Sequence, residues 1–465
     1  MPESIITTIL SEIKDFLQKS TESGKINTAS DIENFTSELS SFLTSIGGVV
    51  LRTLLESLQP NSNKVVHSGV EFVYVKTEPK EYATLFGKIE ISRRYYRNRR
   101  LRRTYVPLDE LWNMKGQFAT PKIRERIAFL TGFLPPSGIS EVFKRFGPCS
   151  LSTSFIRKVG EIVGEAMERE SRKIIEEAHK TETQLPNKAN CIAVSLDGVN
   201  MMLREKGTLG RRPYKRPGHE SSIESGNSCY KNAGVGTISF YGSEGDGDVQ
   251  TVVRKRTIVV AHTPEERMKS LKKEMEEEVV HWLRVAERNE QNVKKVVVMD
   301  GARNLWKYVE QSDLYKGWVQ IVDFHHCCEQ LSKFAELLFG SNNRKGRRWY
   351  LKYRTTLLNC ANGVNRMLRS AVRYLKQTGK HSLEKKLEYF QRNRKKMQYQ
   401  TFREQGLPIG SGPVEAACKT IVKARLCCSG MRWSRQRAQG VLRIRTMIKN
   451  RRWDVAWKTY MGATN

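Results

Sequence analysis

The 465-residue sequence has no CxxC pair, no apolar run of membrane length and far fewer acids than bases. Its nine cysteines are scattered, with neighbours only at 327–328 and 427–428, which argues against a disulfide scaffold and against a conventional zinc finger. A reducing cytoplasm fits that usage. No stretch of about eighteen residues is apolar throughout, so no membrane-spanning segment and no membrane partner are expected. The opening MPESIITTILSEIKDFL lacks a basic region and an unbroken apolar core, and does not read as a signal peptide. Acids number 49 against 80 lysines and arginines, a formal net charge of +31. That excess is larger than a solvated face requires and implies a polyanionic partner, nucleic acid first. The length accommodates roughly two to four domains.

Residues 1–60 read as helical, with Ile6, Ile9, Leu10, Ile13 and Leu17 on one apolar face and Phe42, Val49, Val50 and Leu54 on another. A small bundle and a dimerisation arm are both open. In a basic region at 68–116, EFVYVKTE (71–78) and ATLFGKIEISRRYYRNRR (83–100) alternate as strands do. The second runs into seven arginines, Arg93, Arg94, Arg97, Arg99, Arg100, Arg102 and Arg103, interleaved with Tyr95 and Tyr96. Arginines beside aromatics suit phosphate clamping and base stacking, although a solvated edge has the same composition. Residues 117–180 are helical, Thr120-Pro121 opening one helix. There ISEVFKRFGPCSLSTSFIRKVGEIVGEAM gives a helix, a short GPCS turn and a second helix, the grammar of a helix-turn-helix DNA-binding domain.

Residues 188–325 carry the cleanest pattern. CIAVSLDGV (191–199) reads as a strand ending on Asp197, followed by strands at 232–242 and 249–261 and a long helix from Thr263-Pro264 to about 287. KKVVVMDGARNLWKYVE (294–310) is a strand buried on both faces that ends on Asp300 and restarts as a helix. GWVQIVDFHH supplies a fifth strand ending on Asp323. The order is thus β-β-β-α-β-α-β. If strands one and four are parallel neighbours, Asp197 and Asp300 end roughly 4.8 Å apart. Two catalytic metals sit about 3.5–4 Å apart, bridged by carboxylates, so the spacing matches. For an arbitrary Asp-Gly pair taken alone, a turn or helix-cap role is the commoner one.

Residues 326–405 form a long helical region with basic patches. In the final segment, 406–460, LPIGSGPVEAACKTIVKARLCCSGMRW makes Gly412 a helix cap, Pro413 the first helical residue and Glu415 the third. Glu415 reads either as a capping carboxylate or as a ligand. From Ala416 to Trp453 no acid follows, whereas eleven lysines and arginines do. Lys419, Lys423, Arg425, Arg432 and Arg435, with Trp433, are the candidate DNA contacts in that run; Trp433 also fits packing against the body.

Through MDGARNLW, VDFHH and GSGPVEAACK…RLCCSGMRWS, in that order, the chain from about 84 to 452 resembles the DDE transposases of bacterial insertion sequences, most closely the ISKra4-type family. The resemblance implies an α/β ribonuclease-H-like catalytic core with a mixed sheet, interrupted by the helical insertion and preceded by the DNA-binding regions. It puts the catalytic, metal-binding acids on Asp197, Asp300 and Glu415, with Asp323 and His326 auxiliary. It further implies two Mg²⁺ per site, Mn²⁺ substituting, and double-stranded DNA as partner, both element inverted repeats and target. Three acids in one place make sense with cations between them. The loop at 204–220 supplies Arg211, Arg212, Tyr214, Lys215 and Arg216 as candidate phosphate and base contacts near the cut, and a homodimer or higher oligomer is expected because two ends must meet. Relatives often carry a CxxCG-like element after the paired tyrosines; YYRNRRLRRTYVPLDE has none. Rival readings are a metal nuclease or resolvase that never joins strands, an inactive element-derived DNA-binding protein, and an RNA-binding protein. Zinc on His325, His326 and Cys328 is disfavoured because no fourth ligand is nearby.

Overall fold

A computed structural model describes residues 3–22, 28–114, 116–186, 189–203, 230–244 and 251–463. The chain divides into two compact units, residues 1–163 with 460–465 and residues 164–459.

The first unit opens with helices α1 (Glu3–Glu22) and α2 (Ala29–Ser57), joined face to face by Phe16, whose ring stacks 4.3 Å from Phe42. Thr28 and Asp31 close a capping box at the start of α2. By length and composition α2 would suffice to cross a membrane, one such helix among the described residues, where the sequence reading expects none. Strands β1 (Lys64–His67), β2 (Val70–Thr84), β3 (Gly87–Asn98) and β4 (Arg103–Tyr105) form an antiparallel sheet in that order. The end of α2 is tied to this sheet: Ser92 N–H donates to Glu56 and Arg94 N–H to Gln59, both at 2.8 Å. Tyr82, Ile91, Leu108 and Met114 make the core beneath it. Short α3 (Pro107–Leu111) follows, then α4 (Pro121–Thr131), α5 (Pro136–Phe146) and α6 (Thr153–Arg169), so the helix, GPCS turn and helix lie where the spacing puts them. Gly147 caps the end of α5, and a Cβ there would meet the Phe143 carbonyl oxygen at 2.6 Å, so the close approach requires glycine.

The second unit holds α7 (Ser171–Thr181) and a five-stranded mixed sheet of β5 (Cys191–Met202), β6 (Tyr230–Glu244), β7 (Thr251–His262), β8 (Lys294–Met299) and β9 (Val319–Val322). The spatial order is β7-β6-β5-β8-β9, antiparallel from β7 to β5 and parallel from β5 to β9. Val296 to Met299 are buried completely, as a strand covered on both faces requires. One cover is α8 (Lys269–Arg288), which applies Leu271, Met275, Val279 and Trp282 at helical spacing. After α9 (Arg303–Gln311) and β9, a helical region runs through α10 (Phe324–Phe339), α11 (Arg344–Asn359), α12 (Gly363–Thr378), α13 (Glu384–Asn393) and α14 (Tyr399–Glu404). The chain returns as α15 (Gly412–Ala417), a π-helical turn at Cys418–Lys423, α16 (Ala424–Leu426), α17 (Arg435–Lys449) and α18 (Trp453–Ala463). Val414, Ala417, Ile421, Ala438 and Leu442 pack with Val235 and Val259 of the sheet.

Two boundaries correct the sequence reading. Strand β5 does not end at Asp197 but continues to Met202, because its ladder to β6 runs on after its pairing with β8 stops at Val194–Val297. At the start of α15 the cap is Ser411 rather than Gly412, with Pro413 second and Glu415 fourth in the helix. The Ser411 carbonyl accepts the Glu415 N–H at 3.3 Å, which brings Gly412 inside the first turn.

Not all of the positive charge lies on the surface. Arg443 is clamped by Glu274 and Glu168, and Arg452 by Glu182 and Glu278, all within the second unit. Both arginines are fully buried, and burial of their carboxylate partners is offset by these pairs.

Candidate functional site

Register gathers the aspartates. Val194 pairs with Val297 and Met299 with Val322, so Asp300 and Asp323 follow directly on the ends of two adjacent parallel strands beside β5, and Asp300 feels the charges of Asp197 and Asp323. Neighbouring strands lie roughly 4.8 Å apart. Asp197 is held within the β5–β6 ladder opposite Val235. Its Oδ1 accepts the Gly198 N–H at 2.7 Å and its Oδ2 lies 3.5 Å from the Cys418 thiol, which donates. Burial and the adjacent carboxylate keep that thiol protonated.

Asp300 stands one residue past β8. Its Oδ1 accepts the Ala302 N–H at 3.0 Å, and its carbonyl accepts the Trp306 indole N–H at 2.6 Å, which starts α9. Burial raises its pKa; the Ala302 N–H opposes this, and the charge of Asp197 raises it further. Like charges are therefore already felt between these two acids.

Asp323 caps α10. Its Oδ1 accepts both the His326 backbone N–H, at 2.7 Å, and His326 Nδ1–H, at 3.1 Å; its Oδ2 accepts the Ser411 N–H. Although burial pushes the carboxyl up, these donors hold it down to about 2. The same hydrogen bond pushes His326 up to about 9 against the cost of burial, helped by the charges of Asp323 and Glu415. His326 Nδ1 is 3.8 Å from Glu415 Oε1, and Ser411 Oγ is 3.4 Å from that same oxygen. Asp323 thus joins the strand end, the first turn of α10 and the GSG turn before α15 into one piece.

Among the described residues two groups of three side chains bring metal-ligating atoms within 4.8 Å of one another. Asp323, His326 and Glu415 are one; His179, Glu182 and His281 are the other. Asp197 and Asp300 belong to neither. Both groups could hold a metal ion. In the second, however, the imidazoles stack with centroids 3.7 Å apart and planes 2° from parallel, so one ion cannot lie in both ring planes unless a ring turns. Glu182 there is already paired with Arg256 and Arg452. No family model matches the chain, and no curated protein matches it.

The candidate nucleic-acid contacts divide sharply. Arg93 is buried, doubly bonded to Asp109 at 3.0 Å and bonded to Tyr95. Arg94 lies over Tyr74 and bonds Asn61, while Tyr96 is buried with its hydroxyl on the Pro60 and Ser62 carbonyls. These four residues hold the sheet together as they stand. Arg97, Arg99, Arg100, Arg102 and Arg103 are exposed around the β3–β4 turn. In the second unit Lys419, Lys423, Arg432 and Arg435 are exposed, whereas Arg425 is buried with its guanidinium 5.0 Å from the Trp433 ring. Trp433 donates its indole N–H to the Leu426 carbonyl at 3.1 Å and packs on the core. Residues 211–216 lie outside the described residues.

Sequence reasoning missed Cys418, Ser411 and Tyr389. The Tyr389 ring covers Gly301: a Cβ at Gly301 would overlap it and stand 3.1 Å from the hydroxyl. That hydroxyl is buried without a hydrogen-bond partner. Nothing within the α13 sequence distinguishes Tyr389 from any other aromatic on a helix; the available sign was the glycine after Asp300.

Proposed function

We propose that the chain is a DDE-type DNA transposase of the insertion-sequence class, most closely ISKra4-type, which binds element ends and catalyses metal-dependent strand cleavage and transfer. The observation that carries this reading is the convergence of Asp197, Asp300 and Asp323 at one end of a mixed sheet, with His326 and Glu415 beside them. The sheet order, with three antiparallel strands followed by two parallel ones, supports a ribonuclease-H-like core. The +31 charge and the exposed arginine turn support a polyanionic substrate.

The residues fit a hard divalent cation. The donors are carboxylates with one imidazole, and Asp300 is pushed up by burial and then by the charge of Asp197, a repulsion that a divalent cation would relieve. Asp197, Asp300 and Glu415 would hold the metal, Asp323 being occupied by three N–H donors. Magnesium, or manganese in its place, would supply charge neutralisation and activate the attacking hydroxyl. The protein's own contribution is positional. Asp197 is fixed by the ladder and Cys418. Asp323 keeps His326 protonated at neutral pH, an N–H donor of positive charge beside Glu415 that suits a phosphate oxygen.

A second reading has a specific observation behind it. Since the group gathered within 4.8 Å is Asp323, His326 and Glu415, without Asp197 or Asp300, a nuclease that never joins strands fits too, its metal displacing the proton that His326 shares with Asp323. The test uses purified protein, Mg²⁺ and labelled duplexes carrying the inverted repeats that flank its gene, with Asp300→Asn alongside. Cleaved and joined products, both lost in the variant while binding persists, are expected. Cleavage without joining favours the nuclease, and cleavage that survives Asp300→Asn removes Asp300 from the chemistry.

A further inference from the structure

Between Glu336 and Glu384 the sequence has no acid, yet it carries eleven lysines and arginines. The run spans α11 and α12, an antiparallel hairpin within the second unit: Trp349 donates its indole N–H to Ser370 Oγ at 3.0 Å, and Gly363 stands against Thr356 and Leu357. Both helices turn one side into the same core, α11 through Trp349, Tyr353 and Leu357, and α12 through Val364, Met367, Ala371 and Leu375. Their opposite sides therefore face outward together.

Those outward sides carry charge of one sign. On α12, Arg366, Arg369, Arg373 and Lys376 follow one another at three- and four-residue steps, all exposed. On α11, Arg344, Arg348 and Lys352 do the same at four-residue steps. None of them has a carboxylate partner among the described residues; Glu336 borders the start of α11 beside Arg344 and Arg347 without an ion pair to either. Like charges three and four residues apart on a helix repel, and cations in the first turn of α11, where no acid stands, oppose its dipole. A face that is merely solvated interleaves both signs, whereas one that repels itself along two neighbouring helices suits a polyanion. Two of the eleven bases serve the fold instead. Lys380 donates to the Leu337 and Leu338 carbonyls at 3.2 and 2.7 Å, and Arg354 lies 5.8 Å from the centre of the Phe324 ring. Phe324 follows Asp323, so the hairpin is anchored where β9 delivers that acid.

From Arg366 to Lys376 the helix rises about 15 Å, a length over which one strand of a duplex presents roughly four phosphates. The second row, on α11, runs alongside at a helix spacing of about 8–10 Å. No aromatic of the hairpin is exposed, and Trp349 and Tyr353 are buried, so the face lacks the platform on which single strands stack. We propose that the outward side of the α11–α12 hairpin binds the phosphates of double-stranded DNA without regard to sequence. The inference rests on the nucleic-acid reading above. It gives the second unit a grip on the duplex of its own, apart from the arginine turn of the first.

The test measures fluorescence anisotropy of the full chain with two labelled DNA duplexes of unrelated sequence, each of about 30 base pairs, over a range of salt. The variant Arg366→Gln/Arg369→Gln/Arg373→Gln/Lys376→Gln keeps good helix formers and removes only charge, so its Tm should equal or exceed the parent's. It is expected to lower the slope of log affinity against log salt by about 3 to 4, at roughly 0.9 per phosphate lost, and to weaken both duplexes by the same factor, at least about tenfold. Acetylation of the parent gives a readout that does not depend on the variant's folding: either duplex should protect Lys352 and Lys376. An unchanged slope, weakening confined to one sequence, or equal labelling with and without DNA overturns the hairpin surface, while the nucleic-acid reading stands as long as the parent binds. Tighter binding of the parent to single strands overturns the assignment to duplex. A parent that binds neither duplex even at low salt overturns the nucleic-acid reading and the surface with it.

Discussion

Adding one methyl group at Gly301 tests how the helical region is fitted to the strand ends. Gly301 does not occupy a left-handed conformation, so alanine is acceptable to its backbone. The obstacle is Tyr389, whose ring a Cβ would overlap, with the ring's Cζ and hydroxyl both at 3.1 Å. The ring also meets Phe390 edge-on, 5.1 Å away, so swinging it aside would give up that contact. Overpacking of this kind costs about 1–3 kcal/mol. Tyr389→Ala alone also destabilises, by about 3 kcal/mol or somewhat less for a partly exposed ring, through lost burial. In the Tyr389→Ala background, however, Gly301→Ala should be nearly neutral. Urea unfolding of the four proteins gives the coupling, expected at about 1–3 kcal/mol for residues in contact. A cost for Gly301→Ala that is the same in both backgrounds would refute the reasoning and return the glycine to an ordinary turn residue.

Three further outcomes follow from geometry already described. His326 should titrate near 9 by NMR and return toward 6.5 in Asp323→Asn. A folded-state value above the unfolded one stabilises the protein fully below about pH 6.5, and that stability fades as pH rises through about 9; a wild-type midpoint at 6.5 would sink the assignment. Replacing Arg99, Arg100, Arg102 and Arg103 together by serine should lower the salt slope of DNA binding by up to about 4, at roughly 0.9 per phosphate contact, with folding unchanged. Arg93→Ser should instead unfold the sheet region, seen as lost thermal stability, because it strands Asp109.

Much of the second unit was legible because its elements are extreme cases. The unbroken Val296–Met299 run has no good alternative to a strand covered on both faces, and Asp300-Gly301 interrupts it sharply. The end of β5 was not legible from Asp197-Gly198, since the ladder to β6 carries the strand on to Met202 after its pairing with β8 has stopped at Val194–Val297. Charge counting found the arginine run but could not sort it. Whether Arg93 faces solvent depends on Asp109, which reaches it through the fold of the sheet. Glu415 was found as a carboxylate near a helix start, while its neighbour His326 is set by Asp323, on a different strand end. Tyr389 comes from a helix far along the chain, and periodicity carries no information about what an exposed-looking aromatic will cover.

The π-helical turn at Cys418–Lys423 has a consequence for how this chain can change length. A π turn holds one residue more than an α turn of the same height, and each helical residue turns the axis by about 100°. Deleting one residue there would regularise the hydrogen bonds and yet rotate Glu415 away from its present bearing relative to Val422 and Leu426, which are anchored in the core beneath. The extra residue thus acts as a phase adjustment between the acid and its anchor. Single-residue deletions across 418–423 should be tolerated far worse than insertions in the exposed turn at 428–430, even though the two segments are only a few residues apart.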